Sequence, residues 1–200
     1  MLKSFSKFFI LLTLIATIIT LGVSCDDIYK QRAISDIAHY DEVWELPESH
    51  IAGNSKLFPK TVKQDDCLDF NCRHLTYKWV GSGWELVLKL KYDDSAFAGE
   101  KERIATLCAG SPVCGESQYF DLPAYASVWG CSGAYEYAII DDEAMTVSYV
   151  YLQLINRDVL ELNRKYLPKN YEDIYSEGIK EGAAPGFAVY DHLKEKQTNK

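Results

Sequence analysis

Apolar and polar residues alternate in the middle of the chain, and this alternation predicts a β-hairpin. The apolar positions of its second arm are Trp84, Leu86, Leu88, Leu90 and Tyr92. A period of two is typical of a half-buried antiparallel strand. The arm formed by residues 77–80 leads into it through Gly81-Ser82-Gly83, and glycines supply the positive φ angles that a tight turn needs.

A second hairpin is predicted over residues 134–155, with its turn at residues 141–144. The strand after this turn has apolar residues on both faces: Val147, Tyr149, Tyr151 and Ile155 on one, and Val150, Leu152 and Leu154 on the other. This pattern is typical of a central strand that is covered on both sides.

Between the hairpins, residues 95–107 are predicted to form a helix. Phe97, Ile104 and Leu107 share one of its faces, and Asp94 or Ser95 can cap it. Hairpins on either side of a helix predict the α+β class, with an antiparallel β-sheet built from hairpins and one or two packing helices.

The amino terminus has the pattern of an export signal. Lys3 and Lys7 precede residues 8–23, a run of 16 residues without a charge. As a helix this run would span about 24 Å, which is short of the ~30 Å hydrocarbon core of a bilayer. A secretory signal is therefore favoured over the alternative, an uncleaved membrane anchor.

The end of this run resembles the lipobox of bacterial lipoproteins. In Leu21-Gly22-Val23-Ser24-Cys25 a small residue directly precedes a cysteine, although Gly22 stands where such motifs usually have Leu. The resemblance implies cleavage between Ser24 and Cys25 and lipidation of Cys25. The expected location is the cell membrane or outer membrane, with the protein lipid-anchored and facing the exterior or periplasm, and the expected partner is the membrane.

These patterns predict the organisation of the chain. Residues 1–24 are the expected signal peptide, residues 25–40 a membrane-proximal spacer, residues 41–192 a single globular α+β domain, and residues 193–200 a polar tail.

Five cysteines remain if Cys25 carries lipid, and an oxidising compartment makes disulfides possible among them. They are Cys67, Cys72, Cys108, Cys114 and Cys131. At most two bridges can form. Cys67 with Cys72, or Cys108 with Cys114, could each close a local loop, but the sequence does not determine the pairing. A zinc site or a catalytic thiol is disfavoured, because ligand spacing and a nearby base are lacking, and no metal or cofactor is expected.

Charge and aromatic content bear on the possible partners. The chain has 21 basic and 29 acidic residues, a formal charge of -8, which argues against nucleic-acid binding. Among its 14 Tyr and 4 Trp, the residues Trp129, Tyr135 and Tyr137 could stack on sugar rings. The alternative is that these rings fill the core, as aromatic residues of strands commonly do.

The acidic pairs lack the ligand pattern of calcium loops, so turn formation and helix capping explain them better. No phosphate-binding loop, nucleophile elbow or dinucleotide fingerprint occurs. The sequence therefore favours a non-enzymatic, lipid-anchored envelope protein, a binding or structural module whose partner is an envelope protein. The alternative is a glycan-binding or glycan-processing protein.

Overall fold

One antiparallel sheet dominates the computed structural model, which describes residues 29–46, 55–77, 81–131, 134–153 and 162–169. Within these ranges it has seven strands in the order β1-β2-β3-β7-β6-β5-β4. Their bounds are β1 Tyr29–Ile34, β2 Cys67–Tyr77, β3 Gly81–Lys91, β4 Cys114–Gly115, β5 Ala124–Cys131, β6 Ala134–Asp141 and β7 Thr146–Gln153. The predicted antiparallel sheet is confirmed, and the described part is largely sheet.

The first hairpin is confirmed, but its turn is displaced from the predicted position. Gly81 pairs with Tyr77, so the segment predicted as the turn, residues 81–83, lies inside β3. The predicted first arm continues into residues 78–80, which lie outside the described residues. The actual arm is β2, which extends back to Cys67.

The second hairpin is confirmed at its predicted turn. Asp141 pairs with Thr146 across the turn that joins β6 to β7. Strand β7 lies between β3 and β6, in the interior of the sheet. Its side chains from Thr146 to Leu152 are all buried, as expected for a central strand that is covered on both sides.

Two α-helices accompany the strands in the described residues: α1, Glu42–Glu45, and α2, Asp94–Leu107. Asp93 caps α2, one residue before the predicted caps, and its carboxylate accepts a 2.9 Å hydrogen bond from the Ala96 amide. Hydrogen bonds to Ala96 and Ser95 hold the pKa of Asp93 below its usual value, so it is ionised at the positive end of the helix. Leu107, predicted on the apolar face, is 42% exposed.

Each face of the sheet carries its own buried cluster. On the face that we call the α2 face, Leu86 and Leu88 of β3 share a cluster with Phe97 and Ile104 of α2. The opposite face buries Val87, Val150 and Leu152, together with Tyr119, Phe120 and Tyr166 from outside the strands. The alternation of side chains along β3 and β7 supplies both clusters.

Residues 29–40, which the sequence assigns to a spacer, lie inside the fold. All of β1 pairs with β2. Tyr40 is buried, and its hydroxyl donates a 2.7 Å hydrogen bond to the Pro59 carbonyl. The predicted signal peptide and polar tail lie outside the described residues. In the described ranges, no helix is long and apolar enough to cross a membrane.

Candidate functional site

An open groove of about 430 Å³ lies on the α2 face, between α1, the loop before β2, and α2. This volume is within the usual range of small-molecule sites. The groove brings together residues that are far apart in the sequence, and its lining combines cationic with aromatic side chains: Trp44, Ser55, Lys56, Phe58, Pro59, Lys60 and Arg103.

The carboxylate of Glu136 holds one end of the groove loop, residues 55–60, from below. Glu136 is fully buried on β6. It accepts hydrogen bonds from the Ser55 hydroxyl at 2.6 Å, the Lys56 amide at 3.0 Å and the Leu57 amide at 3.1 Å. A further hydrogen bond comes from the Ser127 hydroxyl. Because a buried carboxylate is costly without such donors, these bonds fix the loop to the sheet.

Arg103 of α2 holds the same loop from the other side. Its guanidinium donates to the carbonyl oxygens of Lys56 at 3.1 Å and Leu57 at 2.5 Å. It also forms a two-bond ion pair with Glu100, with distances of 2.7 and 2.5 Å. The hydrogen bonds to Glu100 are the main cause that raises the pKa of Arg103, so its positive charge is permanent. The backbone near Lys56 is therefore bonded through both its amides and its carbonyls.

A hydrogen-bond chain beneath the groove continues from Glu100 into the sheet. The Tyr149 hydroxyl donates to Glu100, and it also shares a 2.6 Å hydrogen bond with the Tyr92 hydroxyl. Burial is the main cause that raises the pKa of Tyr149, and it raises the pKa of Tyr92 to about 12. Both phenols are therefore neutral near pH 7, and the Tyr149 hydroxyl, itself bonded to Tyr92, holds the Glu100 carboxylate that pairs with Arg103.

The aromatic wall of the groove is packed from behind. Trp44 and Phe58 meet edge to face, with ring centroids 6.2 Å apart and planes at 71°. Tyr40 supports Trp44 at 5.5 Å, and Tyr149 supports Phe58 at 5.7 Å. Edge-to-face pairs of this kind are stabilised by ring electrostatics in addition to burial, so the wall is held in place before any ligand arrives.

Two lysine side chains on the loop leave the groove positively charged. Lys56 and Lys60 are both exposed. Among the described residues, neither ammonium group has a hydrogen-bond or ion-pair partner. Arg103, by contrast, is neutralised in large part by Glu100. The unpaired positive charge of the groove therefore comes from the two lysines, in a chain whose formal charge is -8.

The predicted sugar-stacking residues lie in the core of the opposite face. Tyr135 and Tyr137 are fully buried, so the prediction that they present exposed stacking faces is wrong. Trp129 is half-buried and contacts four aromatic rings, Tyr119, Phe120, Tyr135 and Tyr137. The Tyr137 hydroxyl donates to the Tyr166 carbonyl at 2.7 Å. The alternative interpretation, that these rings fill a core, is therefore confirmed.

The positions of the cysteines restrict the possible pairings. Cys67 and Cys72 lie on the same strand, five residues apart. An extended strand then separates them by about 16 Å, whereas a disulfide needs Cα atoms within about 7 Å. The local bridge between them is therefore excluded by the strand. Four cysteines are free thiols: Cys67, Cys72, Cys108 and Cys114.

The buried thiols are poor nucleophiles. Burial raises the pKa of Cys72 to about 12 and that of Cys108 to about 11, with the nearby Cys114 adding to the second shift. The thiolate is the reactive form of cysteine, so these values oppose a catalytic role. Cys131 ends β5, and Cys25 lies outside the described residues.

The acidic pairs lie in turns and at the beginnings of helices. Asp65 and Asp66 lie in a turn before β2, Asp93 and Asp94 begin α2, and Asp142 and Glu143 lie in the β6–β7 turn. No group of three or more His, Cys, Asp or Glu side chains within the described ranges could hold a metal ion. His74 stacks on Trp84 with ring centroids 4.1 Å apart, and His50 and His192 lie outside the described residues.

Sequence reasoning missed the groove because its parts are brought together only by the fold. Trp44 and Arg103 are 59 positions apart, and each separately resembles an ordinary surface residue. The one local signal is Lys56-Leu57-Phe58-Pro59-Lys60, in which two lysines flank an apolar segment. No protein-family model, curated protein or solved structure matches this chain.

Proposed function

We propose that this chain is a lipid-anchored, exported protein of the cell envelope whose domain is a binding module. The lipobox-like segment that ends at Cys25 supports the anchor. The groove supports the binding role, and the observation that carries this role is the combination of an aromatic wall with two unpaired lysines in one concave site.

The contents of the groove favour binding over catalysis. Catalysis by a nucleophile needs an activating base within hydrogen-bond reach. Among the described residues that line the groove there is no such pair. The adjacent carboxylates of Glu100 and Glu136 are engaged by Arg103 and by the groove loop, respectively. The site is therefore proposed to hold a ligand from the envelope without converting it.

The packing helix and the possible disulfides that the sequence predicts for this domain are part of the same proposal. Helix α2 packs over one face of the sheet, and an oxidising compartment allows a bridge among the exported cysteines. The pairing of Cys108 with Cys114 is the local bridge that remains, because Cys67 and Cys72 are held apart along β2. Glycan binding through Tyr135 and Tyr137 is not retained, since both rings are buried.

Metabolic labelling with radioactive palmitate tests the anchor. In a bacterial host, the wild-type chain should incorporate label and fractionate with membranes. Cys25→Ala should lose the label, because the thiol that accepts the lipid is gone. Cys67→Ala is the matched control, since it removes a partly exposed thiol elsewhere in the chain and should retain the label. Equal labelling of the wild type and Cys25→Ala would refute lipidation at this position.

A further inference from the structure

We propose that the groove takes a small molecule that carries an anionic group, such as a phosphate or carboxylate, attached to a flat ring. The inference rests on the proposed binding function, because it names the ligand class of the same site. It is carried by three features of the groove: the free cations, the aromatic wall and the rigidity of the loop that bears them.

The cations select the charge of the ligand. Lys56 and Lys60 lie four positions apart on one loop, and within the described residues no carboxylate pairs with either ammonium group. Two acidic groups that bond groove residues in this part of the structure, Glu100 and Glu136, are occupied by Arg103 and by the loop itself. A bound anion can therefore accept from both lysines without displacing an existing ion pair.

The wall selects the shape of the ligand. Trp44 is half-buried and Phe58 is 7% exposed, and both line the groove together with Pro59. A flat ring that packs on the half-buried Trp44 gains both buried apolar area and ring–ring contact, and the buried Phe58 supports Trp44 from behind. The groove volume of about 430 Å³ accommodates a fused two-ring compound with its anionic group.

The loop is organised before binding. Its Lys56–Leu57 backbone is bonded through its amides to Glu136 and through its carbonyls to Arg103. The Tyr40 hydroxyl holds the Pro59 carbonyl. A site whose backbone is already ordered loses less conformational entropy on binding, so affinity for a small ligand is increased.

Isothermal titration calorimetry with three compounds tests the inference on the full chain in non-ionic detergent. The compounds are 2-naphthyl phosphate, inorganic phosphate and 2-naphthol, and titrations into protein-free detergent are subtracted. The first has both the ring and the charge, and each of the others has one of them. We expect one saturable site for 2-naphthyl phosphate, with affinity at least tenfold higher than for either fragment.

Paired lysine variants test the position of the site. Lys56→Gln combined with Lys60→Gln should weaken 2-naphthyl phosphate binding about tenfold, since both charge-assisted hydrogen bonds are lost. Lys63→Gln combined with Lys91→Gln makes the same change in charge at exposed positions outside the groove lining, and it should bind as the wild type does. Trp44→Leu should also weaken binding, and its thermal unfolding is measured to show that it folds.

Three outcomes would overturn the inference: no saturable binding of 2-naphthyl phosphate at millimolar concentration, equal affinity for this compound and one of its fragments, or equal weakening in the two lysine pairs. The titrations do not require acylation of Cys25. The titrations can therefore fail while palmitate labelling succeeds, which would overturn the ligand class and leave the lipid anchor standing. Labelling can likewise fail while 2-naphthyl phosphate binds, which would overturn the anchor alone.

Discussion

Glu136 lies fully buried on β6, and the cost of removing its carboxylate from water is offset by four donor groups around it. Two of these donors are backbone amides of the groove loop, at Lys56 and Leu57. The carboxylate thus replaces the sheet or helix partners that those amides would otherwise need. The Glu136 side chain therefore connects the core of the sheet to the backbone of Lys56, a residue that lines the groove.

Graded substitution of Glu136 tests this role. Glu136→Gln keeps one acceptor oxygen but loses the charge, so we expect the free energy of unfolding to fall by about 1–2 kcal/mol. Glu136→Ala leaves buried amides without a partner and should lower it by about 3 kcal/mol or more. Urea denaturation measures both changes.

Glu143→Gln is the control for these variants, because Glu143 is exposed in the β6–β7 turn. Its unfolding free energy should stay within about 0.5 kcal/mol of the wild type. A Glu136→Gln chain as stable as the Glu143→Gln chain would show that the buried carboxylate does not hold the loop.

The alternation of apolar and polar residues predicted burial correctly for apolar side chains but not for charged ones. Leu86 and Leu88 are buried as their alternation predicts. Glu85, on the polar side of the same pattern, is buried as well, because Arg73 on β2 lies opposite it and pairs with it at 3.1 Å. The exposed lysines of the groove follow no period, so the sequence offered no reason to single them out.

At the scale of secondary-structure elements, α2 contains a glycine that its backbone does not require. Gly99 lies within the helix, and a Cβ atom built at this position meets nothing within 4 Å. Gly110, in the loop after α2, also has open space, but its φ of +84° is unfavourable for residues with a side chain. The two positions differ in backbone conformation and not in crowding.

Alanine at these two glycines should therefore have opposite effects on stability. Gly99→Ala should raise the free energy of unfolding by about 0.5–1 kcal/mol, because alanine loses less backbone entropy in a helix. Gly110→Ala should lower it by about 1 kcal/mol, since alanine is strained at positive φ. Thermal or urea unfolding of both variants measures the difference. A shift of the same sign in both would contradict the argument.

Element prediction was accurate where the signal is local and failed where it depends on register. The alternation over residues 84–92 identified β3, but Gly81-Ser82-Gly83 resembles a turn while pairing within the sheet. Pairing with β2 holds these glycines in the strand, and a local pattern does not reveal that partner. The range of the helix was predicted to within one residue, because its apolar residues lie close together in the sequence, although Asp93 caps it in place of the predicted Asp94 or Ser95.

At the scale of the whole molecule, the sheet joins segments that no local pattern connects. Strand β1 pairs with β2 across more than 30 residues, and β3 pairs with β7 across the helix and three further strands. The predicted spacer illustrates the difficulty, because the six residues of β1 mix charged with apolar residues and show no clear alternation. Their place in the sheet is determined by β2, which supplies the hydrogen bonds.

The early start of β1 predicts how close the domain lies to the membrane if Cys25 is acylated. Four residue steps separate Cys25 from Tyr29, the first residue of β1. A fully extended chain spans about 3.5 Å per residue, so the edge of the sheet lies within about 14 Å of the anchored residue. Neutron reflectometry of the palmitate-labelled protein on a supported bilayer should therefore show a water gap below about 14 Å.

A linker insertion shows whether this gap depends on the tether. Twenty Gly/Ser residues placed between Asp27 and Ile28 have a root-mean-square span of about 25 Å, so the gap should widen by a similar distance. The same linker added after Lys200 gives a protein of equal mass and should leave the gap unchanged. A water gap clearly wider than about 14 Å in the wild type would contradict the short tether, and so would equal gaps in the two insertion variants. In either case the separation from the bilayer would be determined by something other than the three residues between Cys25 and β1.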